Sequence, residues 1–127
     1  MMTAKVLLVD DDELNRFVGQ ELLESLGMES IVAGSGAEAL DKLQSCRFDL
    51  VLMDISMQVM DGYETTRLIR AQIQFKCLPI IALTAHALVN ERAKCLQVGM
   101  DDYLAKPFTL AELKQVIHKW TGVAFSV

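Results

Sequence analysis

The sequence predicts a three-layer α/β domain built on a parallel sheet. Short apolar runs alternate with amphipathic helical patterns along the whole chain. The first, third and fourth runs are nearly continuous in Val, Leu and Ile, as strands covered on both faces are. Two of those runs stop directly at acids: Val6–Val9 at Asp10-Asp11-Asp12, and Phe48–Met53 at Asp54.

The first strand is predicted over about 5–9. Leu14, Phe17, Val18, Leu22 and Leu26 then form the apolar stripe of a helix that Gly27 stops. The run at 30–33 is short, reads as an edge strand and ends in Gly34. Ser35-x-x-Glu38 is a capping box for a second helix carrying Ala39, Leu40 and Leu43. The third strand, 48–53, leads to Asp54, and the third helix runs from Gly62 to about Phe75 with Asp61 near its start. A strand at 78–83 precedes Thr84. The fourth helix is expected from about His86 to Val98, with Gly99 as its stop. Ala85, Ala87 and Ala93 give that helix little apolar area, so it should be held weakly. The second weak run, 102–105, precedes Lys106. Thr109-x-x-Glu112 opens a last helix whose Leu110, Leu113, Ile117 and Trp120 share a face.

With 127 residues the chain fits one domain, residues 1–127, with a core over about 4–120 and a short tail at 121–127. A composition of 52% hydrophobic and 23% charged residues is that of a globular protein. The net charge of −5 argues against direct binding of nucleic acid or an anionic membrane surface. No apolar stretch approaches the ~20 residues of a membrane span, and the amino terminus lacks a signal-peptide layout. Cys46, Cys77 and Cys95 are odd in number and widely spaced. They are expected to be packed free thiols in a reducing, cytoplasmic setting.

Right-handed crossovers put the carboxyl ends of all the strands on one edge, where ligands bind in such sheets. Asp10 and Asp11, Asp54, Thr84 and Lys106 all lie just past strand ends. Crowded carboxylates repel, and a hard divalent cation relieves the repulsion. Lys106 adds a fixed positive charge and Thr84 a hydroxyl donor. Together they suit Mg²⁺-assisted phosphoryl chemistry on a carboxylate nucleophile. Other residues read more simply. Asp12 suits a helix cap, and Asp61, Asp101 and Asp102 suit turns and caps. His86 and His118 suit exposed helix faces, and Met53, Met57, Met60 and Met100 suit packing; packing is one of two roles open to Tyr103, an aromatic in a strand.

The sequence resembles a response-regulator receiver domain of two-component signalling. The matching segments are Val6-Leu7-Leu8-Val9-Asp10-Asp11, Leu52-Met53-Asp54-Ile55-Ser56-Met57, Met60-Asp61-Gly62, Ala82-Leu83-Thr84-Ala85, Gly99-Met100-Asp101-Asp102-Tyr103 and Lys106-Pro107-Phe108. The resemblance implies a doubly wound, flavodoxin-like sheet of five parallel strands in the order 2-1-3-4-5. It implies a switch domain, not an enzyme acting on other substrates: it would catalyse only its own phosphorylation and dephosphorylation. Asp54 would accept a phosphoryl group from a histidine kinase or a histidine phosphotransfer protein. Asp10, Asp11, Asp54 and the Ser56 carbonyl would hold Mg²⁺ or Mn²⁺. Lys106 and Thr84 would contact the phosphoryl group, and Thr84 and Tyr103 would switch together. The Lys106–Pro107 peptide would be cis. The face of the fourth helix, fifth strand and fifth helix would meet a downstream effector or output domain, or a second copy in a phosphorylation-dependent dimer. The residues around Asp54 and Gly62 are of the kind found in hybrid sensor histidine kinases.

Two positions depart from or vary within that pattern. Gln58 stands where many relatives have proline, which frees φ and restores an N–H. The loop is therefore expected to be more mobile. Ser56 and His86 occupy variable places two residues past Asp54 and Thr84. Two rival functions are weaker. An aspartyl phosphohydrolase would need an acid where Ser56 stands, and a phosphorylation-independent binding module would not need Asp11, Asp54, Thr84 and Lys106 together. No glycine-rich loop follows the first strand, against a nucleotide site.

Overall fold

The structure is a computed structural model that describes residues 4–85 and 89–125. Strands β1 (Lys5–Val9), β2 (Glu29–Ala33), β3 (Leu50–Asp54), β4 (Ile80–Thr84) and β5 (Asp102–Ala105) alternate with helices α1 (Glu13–Ser25), α2 (Gly36–Ser45), α3 (Gly62–Arg70), α4 (Val89–Val98) and α5 (Leu110–Thr121). All strand pairings are parallel, in the order β2-β1-β3-β4-β5. This is the expected doubly wound sheet, and the two weak runs are its edges.

The apolar runs are continuous because both sheet faces are covered. One face carries a cluster with Val9, Val51, Met53, Ile69 and Ile80, the other a cluster with Val6, Leu8, Leu52, Leu83 and Ile117. Every residue of β3 and β4 is buried, Asp54 and Thr84 included. Val123 and Phe125 pack against the second cluster, so the tail adds to the core beyond residue 120.

Several expected boundaries move. β3 begins at Leu50 instead of 48, because Asp49 turns its carboxylate to accept from the Lys5 N–H at 2.9 Å. β4 begins at Ile80 instead of 78: Pro79 has no N–H to give the ladder, though its carbonyl accepts from Val51 N–H. Both strands also end one residue later than expected, so Asp54 and Thr84 are the last residues of strands, not the first beyond them. α3 stops at Arg70, and a separate 3₁₀ turn covers Ile73–Phe75. The Arg70 guanidinium leaves its own helix to donate to the carbonyls of Phe75 and Gly99. The start expected for the fourth helix at His86 lies outside the described residues.

The predicted stripe on α1 meets the core only in part: Leu22 and Leu26 pack against the second cluster. Gly19 and Leu23 are the buried residues of that helix, while Leu14, Phe17 and Val18 face outward at 66%, 62% and 48% exposure. Gly19 permits the approach: a Cβ there would sit 2.6 Å from a Leu8 methyl. At α2, Ser35 caps the Glu38 N–H as expected, but the Glu38 carboxylate reaches Gly34 N–H instead of closing the box. The box at Thr109 and Glu112 is complete. Cys95 is buried and Cys46 partly so, whereas Cys77 is exposed and not packed. Among the described residues, no helix is long and apolar enough to cross a membrane.

Candidate functional site

The carboxyl ends of β1, β3 and β4 and the loop after β5 bring the site together. Asp10 follows β1 and is held there by its N–H, which donates to the Ala33 carbonyl of the neighbouring strand. It is 2% exposed, and Asp54 is 4% exposed. Asp11 is the next residue out and faces solvent. Oxygens from Asp10, Asp11 and Asp54 all lie within 4.8 Å of one another. Three hard oxygen donors converging this closely fit a small divalent cation.

Lys106 is the counter-charge on the protein side. Its Nζ lies 2.9 Å from Asp10 Oδ2 and 3.4 Å from Asp54 Oδ1. The peptide that follows it, Lys106–Pro107, is cis. Burial alone would pull the lysine's pKa down, but its hydrogen bond to Asp10 and the charges of Asp54 and Asp10 outweigh that, and it rises. Asp54 moves up to about 6. Burial is the main cause and the Asp10 charge adds to it, while the Ser56 N–H and Lys106 oppose it. The ion pair is therefore incomplete compensation, and the pocket holds more negative charge than one lysine neutralises.

Each carboxylate is aimed by backbone. Asp10 Oδ1 accepts from Asp12 N–H at 2.9 Å, and Asp54 Oδ1 accepts from Ser56 N–H at 3.1 Å. Asp12 is a helix cap, accepting from the Leu14 and Asn15 N–H groups. Thr84 is buried at the end of β4, and its hydroxyl donates to Glu91 of α4. Tyr103 is half-buried on β5, with the Arg92 guanidinium 4.4 Å from its ring centroid.

Four features escape a reading of the sequence. Gln58 anchors its loop. Its N–H, which proline would lack, donates to Asp11 Oδ2 at 3.2 Å and ties the loop to the acid cluster. Beside it, Val59 has φ 68°, and Met60 N–H donates to the Gln58 carbonyl across it. A β-branched residue in the left-handed region is strained. Gly62 packs against the end of β3 itself: a Cβ would lie 2.4 Å from the Asp54 carbonyl oxygen. Glycine at the first position of a helix is a poor local choice, which is the signal that could have exposed this contact. Arg16 donates to the Asp10 carbonyl at 2.8 Å and pins the turn from behind.

The arrangement can now be set against known proteins. The pattern of the response regulator receiver domain matches residues 6–118. This chain belongs to the response-regulator receiver family. Its relatives include receivers that are parts of larger proteins. Sensor protein GacS of Pseudomonas syringae pv. syringae is 48% identical over 123 residues, which are 94% of this receiver and 14% of GacS. Sensor histidine kinase RcsC of Escherichia coli (strain K12) is 43% identical over 112 residues, 88% of this receiver and 12% of RcsC. The receiver thus spans about one-seventh or less of the length of these curated relatives. Among solved structures, the receiver domain of sensor histidine kinase PA1611 from Pseudomonas aeruginosa PAO1 superposes with a TM-score of 0.88 at 44% identity. That match covers 96% of this receiver and 100% of the other chain, whose active-site cleft coordinates magnesium. Vibrio cholerae chemotaxis protein CheY4 gives a TM-score of 0.89 at 35% identity, covering 94% and 99% of the two chains.

Proposed function

We propose that this receiver is a phosphoacceptor switch in which Asp54 takes a phosphoryl group from a phosphohistidine of a histidine kinase or a histidine phosphotransfer protein. The convergence of Asp10, Asp11, Asp54 and Lys106 carries this reading. Asp10, Asp11, Asp54 and the Ser56 backbone carbonyl would hold Mg²⁺ or Mn²⁺. When bound, the cation would neutralise charge between carboxylate and phosphoryl oxygens. The contacts of Asp54 with Ser56 N–H and Lys106 both fall on Oδ1. They leave Oδ2 to attack. Its lone pair forms the new O–P bond as the P–N bond breaks, and the imidazole leaves with that electron pair and takes up a proton. Lys106, already between Asp10 and Asp54, pairs with the arriving phosphoryl oxygens.

The acyl phosphate brings new acceptor oxygens to the end of β3. Thr84, one strand away on β4, donates to them, and Tyr103 on β5 changes place in concert. A depression of about 290 Å³ lies beside it, lined by Arg92, Cys95, Leu96, Asp101, Asp102 and Tyr103. A partner that prefers the rearranged α4–β5–α5 face, whether an effector, an output domain or a second copy, shifts the population further. The receiver would catalyse only its own phosphorylation and dephosphorylation and act in the cytoplasm, within a hybrid kinase or beside one.

Transfer from a phosphorylated histidine phosphotransfer domain tests this. Labelled phosphate is expected to move to the wild-type chain with Mg²⁺ present, and not to Asp54→Asn or to wild type in a chelator. Equal labelling of Asp54→Asn would overturn it.

A further inference from the structure

Glu91 and Arg92 stand side by side in the first turn of α4, and each holds a different residue of the proposed switch. Glu91 Oε1 accepts the Thr84 hydroxyl proton, and the Arg92 guanidinium covers the Tyr103 ring. These two contacts reach α4 from two strands, β4 and β5. A threonine hydroxyl has one proton to donate. It cannot serve Glu91 and a phosphoryl oxygen on Asp54 at the same time.

We propose that Glu91 is a positioning residue that holds Thr84 in the resting state, so that its carboxylate and the phosphoryl group compete for that proton. This rests on Asp54 being the acceptor and Thr84 its hydroxyl donor. Phosphorylation then releases the first turn of α4 at Glu91, and Arg92 moves with it and uncovers Tyr103. Thr84 and Tyr103 need no direct contact to act together, because adjacent residues of one helix turn bind both. Glu91 has a blander role as well, since an acid in a first turn favours the helix dipole. That role does not depend on the Thr84 hydroxyl, which separates the two.

The experiment titrates beryllofluoride with Mg²⁺ into the full chain and follows Trp120, its single tryptophan, by fluorescence. Removing a resting-state holder favours the switched state. Glu91→Ala is expected to bind beryllofluoride about three- to tenfold more tightly, the size of one net intramolecular hydrogen bond. Glu91→Gln, which keeps the shape and a neutral acceptor, is expected to show a smaller gain and stands in if the alanine variant is unstable. In a Thr84→Val background, Glu91→Ala should change nothing. No gain in either Glu91 variant, or the same gain without the Thr84 hydroxyl, would overturn the proposal while wild type still binds. Wild type that fails to bind beryllofluoride would overturn the acceptor assignment, and this inference with it.

Discussion

The two edges of the sheet carry the same side chain and treat it differently. At the amino edge each aspartate has its own partners. Asp49 accepts from Lys5 N–H, Asp101 from Arg70 and Ile80 N–H, and Asp102 from Trp120 Nε1–H and Tyr103 N–H. At the carboxyl edge Asp10, Asp11 and Asp54 crowd within 4.8 Å of one another, and Lys106 pairs with two of them. Supply of partners decides the role. A carboxylate matched donor for donor locks the fold, whereas a crowded one keeps unspent charge that a cation and a phosphoryl group can use. Asp101 and Asp102, expected to be turn and cap residues, are in fact long-range ties. Asp101 ties the turn before β5 to α3, and Asp102 joins β5 to α5.

Breaking an amino-edge tie should cost the most stability. Asp101→Ala orphans the Ile80 N–H and takes from the Arg70 guanidinium its one carboxylate partner, leaving it the Phe75 and Gly99 carbonyls, and is expected to lower unfolding free energy by about 2 kcal/mol in urea. Its Mg²⁺ affinity should stay that of wild type. Asp11→Asn should do the reverse, weakening Mg²⁺ binding about tenfold by titration calorimetry with folding intact. A large stability loss in Asp11→Asn would erase the contrast between the edges.

The pH dependence sharpens it further. In the metal-free protein the Asp54 carboxyl is raised to about 6 from an ordinary 3.8. The folded state therefore binds that proton more tightly than the unfolded state does. Above pH 6 the ionised group lowers stability, and the penalty fades as pH falls through 6 toward 4. Metal-free Asp54→Asn should be more stable than wild type by on the order of 1 kcal/mol at about pH 7.5, and level with it near pH 4. Urea midpoints across that range check the sign. The smallest effect concerns the strained loop that meets the acid cluster. Val59→Asn should relieve the left-handed backbone and stabilise by about 0.5 kcal/mol, read as a rise in Tm.

Much of this was legible in the chain because burial leaves periodic traces. Uninterrupted Val, Leu and Ile runs marked the covered strands, and acids set at their ends marked the edge where Asp10, Asp11 and Asp54 meet. Pairings such as Arg70 with Asp101 or Trp120 with Asp102 leave no such trace, since they join residues 31 and 18 positions apart. Boundaries at Asp49 and Pro79 slipped for a local reason: each follows or precedes apolar residues, yet one turns its side chain back to the Lys5 N–H and the other lacks an N–H. The first half of the α1 stripe misled because Leu14, Phe17 and Val18 share the spacing of Leu22 and Leu26 but have no core to meet. Periodicity shows that a helix has an apolar face, not that the face is covered.

The central claim is that one particular carboxylate becomes the acyl phosphate. The chain should be phosphorylated with acetyl phosphate and Mg²⁺, reduced with borohydride, digested and sequenced by mass spectrometry. Borohydride converts an aspartyl phosphate to homoserine. Homoserine at position 54 and nowhere else is the predicted result; homoserine at 10 or 11, or none at 54 in protein that carries the label, would contradict the account.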